Sequence, residues 1–350
     1  MKKTLSLLLS LTVIILHTAI LCSCSKTEKF TKSSFDYFDT VTTVIGYSED
    51  KEEFDEVTSL VFNELREYHK LYDIYKRYDG INNLATVNAK VNGEHSAVEV
   101  DKKIIDMLLH AKEAYYLTDG YVNVAMGSVL SLWHDHRTIG IDDPSVATLP
   151  DAMALAEAAR HTSIESVVID EEDSTVLITD PDVTLDVGAI AKGYAVEMIA
   201  RELEERDITG YVLNVGGNVR TIGERGDGEA WTIGVENPLD SGSGDYVAYL
   251  AFKGESLVTS GSYQRYYVVG GVRYHHRIDK DTLMPADKGY ASVSVITKNS
   301  ALGDALSTAL FCMGRDEGLA LIESLEDVEA MWVSADGEKY YSNGFKSYEK

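Results

Sequence analysis

Basic residues are in short supply in this sequence, and the shortage restricts what the protein can bind. Lys and Arg number 32 against 57 Asp and Glu, which gives a formal net charge of −25 over 350 residues. Such an acidic surface repels the phosphate backbone of nucleic acids, so we expect no nucleic-acid partner. An anionic nucleotide can bind only where a divalent cation or a local basic group neutralises it.

Cysteine is also scarce, with three in the chain: Cys22, Cys24 and Cys312. If Cys24 is acylated after removal of a signal peptide, Cys312 has no partner and an intrachain disulfide is excluded. Cys312 lies in an apolar helical pattern. We therefore predict that it is a buried packing residue and not a reactive thiol.

Long hydrophobic runs are missing except at the N-terminus. Two lysines precede an apolar stretch over residues 5–21, which is short for a membrane span and ends in the sequence LCSC. This ending resembles a bacterial lipobox, in which the signal peptide is cleaved before a cysteine that then receives a diacylglycerol. Cys24 is the better acceptor because Ser23 is small and Leu21 is apolar. Ordinary secretion and an uncleaved anchor are the alternatives.

These features predict how the chain is organised. We assign a signal peptide to residues 1–23, the lipid acceptor to Cys24, a polar tether to residues 24–34 and one domain to residues 35–350. The protein is therefore expected at the cell membrane, lipid-anchored on its extracytoplasmic side.

The hydrophobic pattern of the remaining chain mixes helices and strands. Helical periodicity predicts helices, and runs of β-branched residues predict strands. The predicted helices are residues 51–72, 101–118, 150–161, 190–206 and 301–313, the last with Ser300 as its N-cap; the predicted strands are 40–47, 167–169, 175–178, 211–215, 231–235, 246–252 and a β-rich run over 256–297. We expect irregular structure over 74–92 and a loop over 138–150. This order favours an α+β architecture over a doubly wound parallel sheet.

One motif, DVGAIAKGY at residues 186–194, places two glycines and Lys192 at the opening of a helix. A helix N-terminus offers unpaired N–H groups and partial positive charge, so the motif is suited to an anion or a nucleotide. The alternative is a tight strand-to-helix turn with a solvated lysine.

A second motif places Asp304 and Thr308 four residues apart in a predicted helix, so that both side chains share one face. A carboxylate and a hydroxyl are hard oxygen ligands of the kind that Mg²⁺ binds. The alternative is a polar helix face on which Thr308 bonds to its own backbone.

Histidines give one further candidate. His275 and His276 are adjacent, which suits an acid–base or metal-binding role, while the other histidines show no zinc-ligand spacing. We expect His134 and His136 in a surface loop.

In this order and combination, the segments resemble the ApbE family of FAD:protein FMN transferases. The blocks that carry the resemblance are DVGAIAKGY, NVGGN at 214–218, TSGSY at 259–263, residues 276–279 and DALST at 304–308. The resemblance implies a T-fold-related α+β domain with FAD in a central cleft. It also implies Mg²⁺-dependent cleavage of FAD, transfer of FMN to a Ser or Thr hydroxyl of an acceptor flavoprotein, and release of AMP.

The resemblance further implies roles for particular residues. Mg²⁺ would be held by Asp304, Thr308 and the carbonyl of Ala189, with His276 as the base. FAD would contact Phe38, Tyr75, Tyr121, Val122, Asn123, Asp186, Lys192 and Ile278. The acceptor would be a flavoprotein of an exported electron-transfer system.

The sequence also departs from the family pattern at three places. Phe38-Asp39-Thr40 replaces Met-Gly-Thr, Asn123 replaces an Asp, and the loop after His276 lacks the usual Pro and Gly, with Lys280 and Leu283 in their places. Two alternative functions stay open: an FAD pyrophosphatase that uses water as the acceptor, and a non-catalytic flavin-binding lipoprotein.

Overall fold

The computed structural model describes residues 27–91 and 96–350, so the predicted signal peptide and Cys24 lie outside the described residues. Numbered in chain order, the helices are α1 (Lys51–Tyr72), α2 (Leu84–Val91), α3 (Lys102–Leu117), α4 (Gly127–Asp142), α5 (Ala152–Ala158), α6 (Ala191–Glu205), α7 (Ser300–Cys312) and α8 (Arg315–Glu323). The strands are β1 (Glu28–Tyr37), β2 (Thr40–Ser48), β3 (Val98–Glu99), β4 (Val167–Asp170), β5 (Thr175–Ile178), β6 (Tyr211–Val215), β7 (Asn218–Ile222), β8 (Trp231–Glu236), β9 (Tyr246–Phe252), β10 (Ser256–Gly261), β11 (Tyr266–Val269), β12 (Val272–His275), β13 (Tyr290–Thr297), β14 (Val328–Ser334) and β15 (Lys339–Tyr341).

An eight-stranded antiparallel sheet forms the centre, in the order β1-β2-β6-β7-β10-β13-β14-β15. Helices α1, α6 and α7 cover one face and share its larger hydrophobic core. The β8–β9 hairpin covers the other face around a second core that includes Trp231, Leu250 and Phe345. Because both faces are covered, a central strand such as β13 is buried along most of its length.

A third, smaller core joins α4, α5 and the β11–β12 hairpin through Trp133, Leu155, Tyr267 and Ile278. The hairpin belongs to the segment between β10 and β13, which leaves the sheet after Gly261. This segment also contains His276, so the third core positions the predicted base.

Two tight turns lie side by side at one end of the sheet. Phe38 and Asp39 connect β1 to β2 with φ of 53° and 49°, and Gly216 and Gly217 connect β6 to β7 with φ of 57° and 90°. Positive φ at both central residues is the geometry of a type I′ hairpin turn. A Cβ on Gly216 would lie 2.5 Å from Thr40 Oγ1, so the close approach of the two turns requires glycine there.

The α+β expectation is confirmed, but the predicted tether is wrong over part of its length. Residues 28–34 belong to β1, which pairs with β2 from Glu28 opposite Ser48 to Tyr37 opposite Thr40. As an edge strand, β1 has one exposed face and therefore few apolar residues, which made it look like a polar linker. Its core contacts are made by Phe30, which stacks on Phe54 with 5.4 Å between ring centroids, and by the buried Tyr37 at its end.

Other boundaries also differ from the sequence expectation. Residues 84–91 form α2, because Asn83 accepts from Thr86 N–H and anchors to the carbonyls of Lys70 and Lys76. Helix α4 continues to Asp142, and α5 covers only Ala152–Ala158. Helix α7 is capped by the side chain of Asn299, and Ser300 is its first residue.

Cys312 is buried, as predicted, and has no disulfide partner among the described residues. In the same part of the chain, none of the helices has both the length and the apolar character that crossing a membrane requires.

Candidate active site

Helices α6 and α7 cross at Gly193 and Asp304. A Cβ on Gly193 would lie 2.4 Å from Asp304 Cβ and 2.4 Å from the Ser300 carbonyl, so only glycine allows this approach. The Gly193 N–H donates to Asp304 Oδ2 at 2.8 Å. Gly193 is the third residue of α6, so its N–H is one of the first-turn donors that have no acceptor within the helix, and Asp304 supplies that acceptor. The carbonyl of Ala189, just before the helix, accepts no hydrogen bond from the described residues.

Asp304 is almost fully buried, and its carboxylate is 3.6 Å from Lys192 Nζ. Thr308, one helical turn further, accepts a hydrogen bond from Arg277 Nη1 at 3.0 Å. Ser307 bonds instead to Ser260 Oγ at 2.8 Å and to the Asp304 carbonyl, so its hydroxyl has a structural role. A carboxylate, a hydroxyl and an unpaired carbonyl form a hard-oxygen donor set that fits Mg²⁺.

Asp186 lies at the start of the loop that leads into α6. Its Oδ1 accepts from Gly188 N–H at 2.8 Å, and its own N–H donates to the Val124 carbonyl at 2.8 Å. Burial raises the pKa of Asp186, while the Gly188 hydrogen bond and the charges of His134, Arg137 and Lys192 oppose that rise. The motif thus places an acid beside several cations.

Tyr75 and His134 form an aromatic surface at the rim of the site. Their rings stack with centroids 5.0 Å apart, and His134 Nδ1 lies 3.0 Å from Arg137 Nη2. The pKa of Tyr75 is raised to about 12, chiefly by desolvation of its hydroxyl and further by Asp186. The expectation of a loop for His134 and His136 is wrong, because both belong to α4.

His276 is half-buried and held in one orientation. Its Nδ1 lies 3.1 Å from the Arg265 carbonyl, which requires the proton on Nδ1 and leaves Nε2 as an acceptor. Desolvation by burial, followed by the charges of Arg277, Arg265 and Arg137, lowers the pKa of His276 well below its usual 6.5. The imidazole is therefore neutral at physiological pH.

Phe38 reaches the same region through its turn. Its N–H donates to His69 Nδ1 at 3.3 Å, and the carbonyl of the next residue, Asp39, accepts from Arg265 Nη2 at 3.2 Å. Arg265 therefore connects the Phe38 turn to His276.

The remaining predicted FAD contacts divide into two groups. Tyr121 is partly exposed, Lys280 Nζ lies 4.8 Å above one face of its ring, and its hydroxyl donates to Glu317 Oε2 at 3.2 Å. Val122 is buried in the core, Ile278 is buried in the third core, and the Asn123 side chain bonds to the Thr162 carbonyl and to Ala125 N–H. The side chains of this second group are engaged within the protein.

The structure adds three basic residues that the sequence analysis missed: Arg137, Arg265 and Arg277. They come from α4 and from the segment between β10 and β13, and their charges act on Tyr75, His276 and Asp186. Arg137 and Arg265 are isolated in the sequence, and Arg277 was predicted no role although it follows His276 directly. Together with Lys192 they form a cationic cluster in an otherwise acidic protein.

An α+β protein with a cluster of cations, an aromatic surface beside it and a hard-oxygen donor set is suited to bind a nucleotide together with a divalent cation. The comparisons with known proteins narrow this class. The sequence matches the model of the ApbE family over residues 38–332, and the chain belongs to that family.

Named relatives agree with this assignment. The chain is 32% identical over 270 residues to the FAD:protein FMN transferase of Klebsiella pneumoniae (strain 342), covering 76% of this chain and 81% of that protein. It is 31% identical over 266 residues to the FAD:protein FMN transferase of Treponema pallidum (strain Nichols), covering 72% and 71%. The crystal structure of the ApbE protein from Thermotoga maritima superposes with a TM-score of 0.78 at 27% identity, covering 92% of this chain and 100% of that one.

Proposed function

We propose that the protein is a Mg²⁺-dependent FAD:protein FMN transferase that is tethered to the membrane through Cys24. The observation that carries this proposal is the crossing of α6 and α7, where the Asp304 carboxylate accepts from the Gly193 N–H and lies 3.6 Å from Lys192 Nζ. Thr308 lies one turn further along α7, and the Ala189 carbonyl lies just before α6. The names of its relatives in the ApbE family support the same activity.

Asp304, Thr308 and the Ala189 carbonyl would hold the metal ion. Bound there, Mg²⁺ supplies charge neutralisation and polarisation of the phosphoryl oxygens. Lys192 adds a fixed positive charge for the pyrophosphate, and Tyr75 with His134 offers a flat aromatic surface for a ring system.

The reaction joins the FMN phosphorus to a Ser or Thr oxygen of the acceptor flavoprotein. The bond from that phosphorus to the bridging oxygen breaks, and the oxygen leaves with AMP. His276 accepts the hydroxyl proton at Nε2, because Nδ1 is already engaged with the Arg265 carbonyl.

The test uses purified protein, FAD, Mg²⁺ and a flavoprotein of an exported electron-transfer system as the acceptor. Mass spectrometry is expected to show the acceptor heavier by one FMN less water, with AMP released in equal amount. Asp304→Ala is expected to lose both the modification and Mg²⁺ binding, while Asp316→Ala, on the exposed surface of α8, keeps both.

Two outcomes contradict the proposal. Steady production of free FMN with no modified acceptor identifies water as the acceptor and the protein as an FAD pyrophosphatase. Tight FAD binding without any AMP identifies a flavin-binding protein without catalysis.

A further inference from the structure

Arg277 is a cation beside the proposed metal ligands that has few partners of its own. Its Nη1 donates to Thr308 Oγ1 at 3.0 Å, and its guanidinium carbon lies 5.7 Å from the centre of the Phe311 ring. Its Nε is buried without an acceptor. Within residues 27–91 and 96–350, none of the carboxylates approaches it within 4 Å to form a salt bridge.

This arrangement leaves donors of Arg277, including Nε, without an acceptor. A guanidinium has five N–H donors in a planar fork and stays charged at every physiological pH. Removing such a cation from water without an opposite charge is unfavourable. The Asp304 carboxylate, beyond salt-bridge distance, offsets part of this cost, and Arg265 adds like charge. The site therefore has positive charge and free donors that an anion can satisfy, and the fork geometry suits a phosphate.

We propose that Arg277 binds the phosphates of FAD directly and lets the dinucleotide bind before the metal ion does. The inference rests on the proposed function and gives a role to Arg277, for which the family resemblance implied none. Arg277 contacts the same Thr308 oxygen that is proposed as a metal ligand, so Arg277 and Mg²⁺ would neutralise the same phosphate oxygens. The gain in FAD affinity from Arg277 is therefore smaller when Mg²⁺ is bound, and the gain from Mg²⁺ is smaller when Arg277 is present.

A second consequence concerns the metal alone. Without FAD, the positive charge of Arg277 next to Thr308 repels a divalent cation and occupies a lone pair of the ligand oxygen. Removal of the charge is therefore expected to strengthen Mg²⁺ binding to the FAD-free protein and to weaken FAD binding to the metal-free protein.

The experiment compares full-length wild type with Arg277→Met, which preserves an apolar stem against Phe311. FAD affinity is measured by flavin fluorescence in EDTA and again in saturating Mg²⁺, and Mg²⁺ affinity is measured by calorimetry without FAD. Loss of a charge-assisted hydrogen bond predicts roughly 10- to 100-fold weaker FAD binding in EDTA, and a smaller loss with Mg²⁺. Arg277→Lys, which keeps the charge, is expected to fall between the two.

Arg273→Met is the matched control. Arg273 lies on β12 over the Tyr266 ring and is exposed, so its loss is expected to change neither affinity. Tighter Mg²⁺ binding by Arg277→Met is a gain that a misfolded variant cannot show. Equal FAD affinity of wild type and Arg277→Met in EDTA, or unchanged Mg²⁺ affinity, overturns the inference. Failure of wild type to bind FAD even in saturating Mg²⁺ overturns the proposed function instead.

Discussion

His276 illustrates how single residues set the chemistry of the site. The Arg265 carbonyl fixes its tautomer, and burial together with three arginines keeps the imidazole neutral. A histidine with a lowered pKa is a weaker base than an exposed one, but it is in the correct form over a wider pH range.

Replacement of His276 by Ala is expected to slow FMN transfer by about 10²- to 10⁴-fold while FAD stays bound, because general-base assistance is lost. The base must be neutral, and its pKa lies well below 6.5, so wild-type activity should persist as the pH falls through 6.5. Transfer rates and FAD titrations from pH 5 to 8 check both points, with His136→Ala as the control. An acidic limb at pH 6.5 or above contradicts this assignment of the base.

Leu283 occupies the position of the family's loop glycine and adopts a φ of 58°. Its N–H donates to the Asp279 carbonyl at 2.9 Å, so the turn is kept in spite of the substitution. A non-glycine residue in this left-handed region costs about 1–2 kcal/mol. The departure noted in the sequence therefore changes the strain of the turn and not its presence.

Leu283→Gly is expected to be more stable than Leu283→Ala by about 1 kcal/mol. Both variants lose the side chain that packs on the third core, so the comparison isolates the backbone term. Urea unfolding followed by circular dichroism measures the difference. Equal midpoints for the two variants would show that the turn is relaxed with any residue.

At the scale of elements, the crossing of α6 and α7 combines packing and function. The Gly193 N–H donates a hydrogen bond to Asp304, and Lys192 forms an ion pair with the same carboxylate. The buried Glu197 of α6 accepts from the Ser300 N–H at 2.8 Å. The two helices are therefore fixed to each other at several points along their contact. The relative position of the proposed metal ligands depends on the distance between α6 and α7 at their crossing.

Gly193→Ala is expected to separate the two helices, because the new Cβ would meet atoms at 2.4 Å that belong to a backbone carbonyl and to Asp304. Overpacking of this kind destabilises a protein by about 1–3 kcal/mol, and here it also breaks the hydrogen bond that orients Asp304. Thermal unfolding and Mg²⁺ titration measure the two effects. Gly314→Ala, with open space around its Cβ, is the control, and a Gly193→Ala variant with unchanged metal affinity argues against this account.

The helices of this crossing could be predicted from sequence because their apolar residues repeat at helical spacing, and the Asp304–Thr308 pair follows from that period. Strand β1 could not be predicted, since only two of its side chains, Phe30 and Tyr37 near opposite ends of the strand, pack on the core. The clustering of Arg137, Arg265 and Arg277 could not be predicted either. They meet only because the β11–β12 hairpin packs on α4, a contact between residues more than a hundred positions apart.

At the scale of the whole molecule, β1 runs the length of the sheet from the start of the folded domain to the proposed site. Strand β1 begins at Glu28 and ends at the Phe38 turn beside the site. Ten residues of extended chain span about 33 Å. If Cys24 carries the lipid, the folded domain begins almost at the anchor, and the site lies at the far end of β1. An acceptor would then approach from the side that faces away from the membrane.

The extent of the domain gives a last prediction. A chain that begins at Thr27 retains all of β1, whereas a chain that begins at Phe35 loses residues 28–34, including the Phe30 contact with Phe54 and the hydrogen bond from Lys32 to Thr58. Loss of a partly buried Phe and of a strand pairing predicts a free energy of unfolding lower by roughly 2–4 kcal/mol. The truncation also exposes the edge of β2, so the shorter chain is expected to aggregate more readily. Urea unfolding and light scattering of the two chains check this. Equal urea midpoints would show that residues 28–34 act as part of the tether and not of the folded domain.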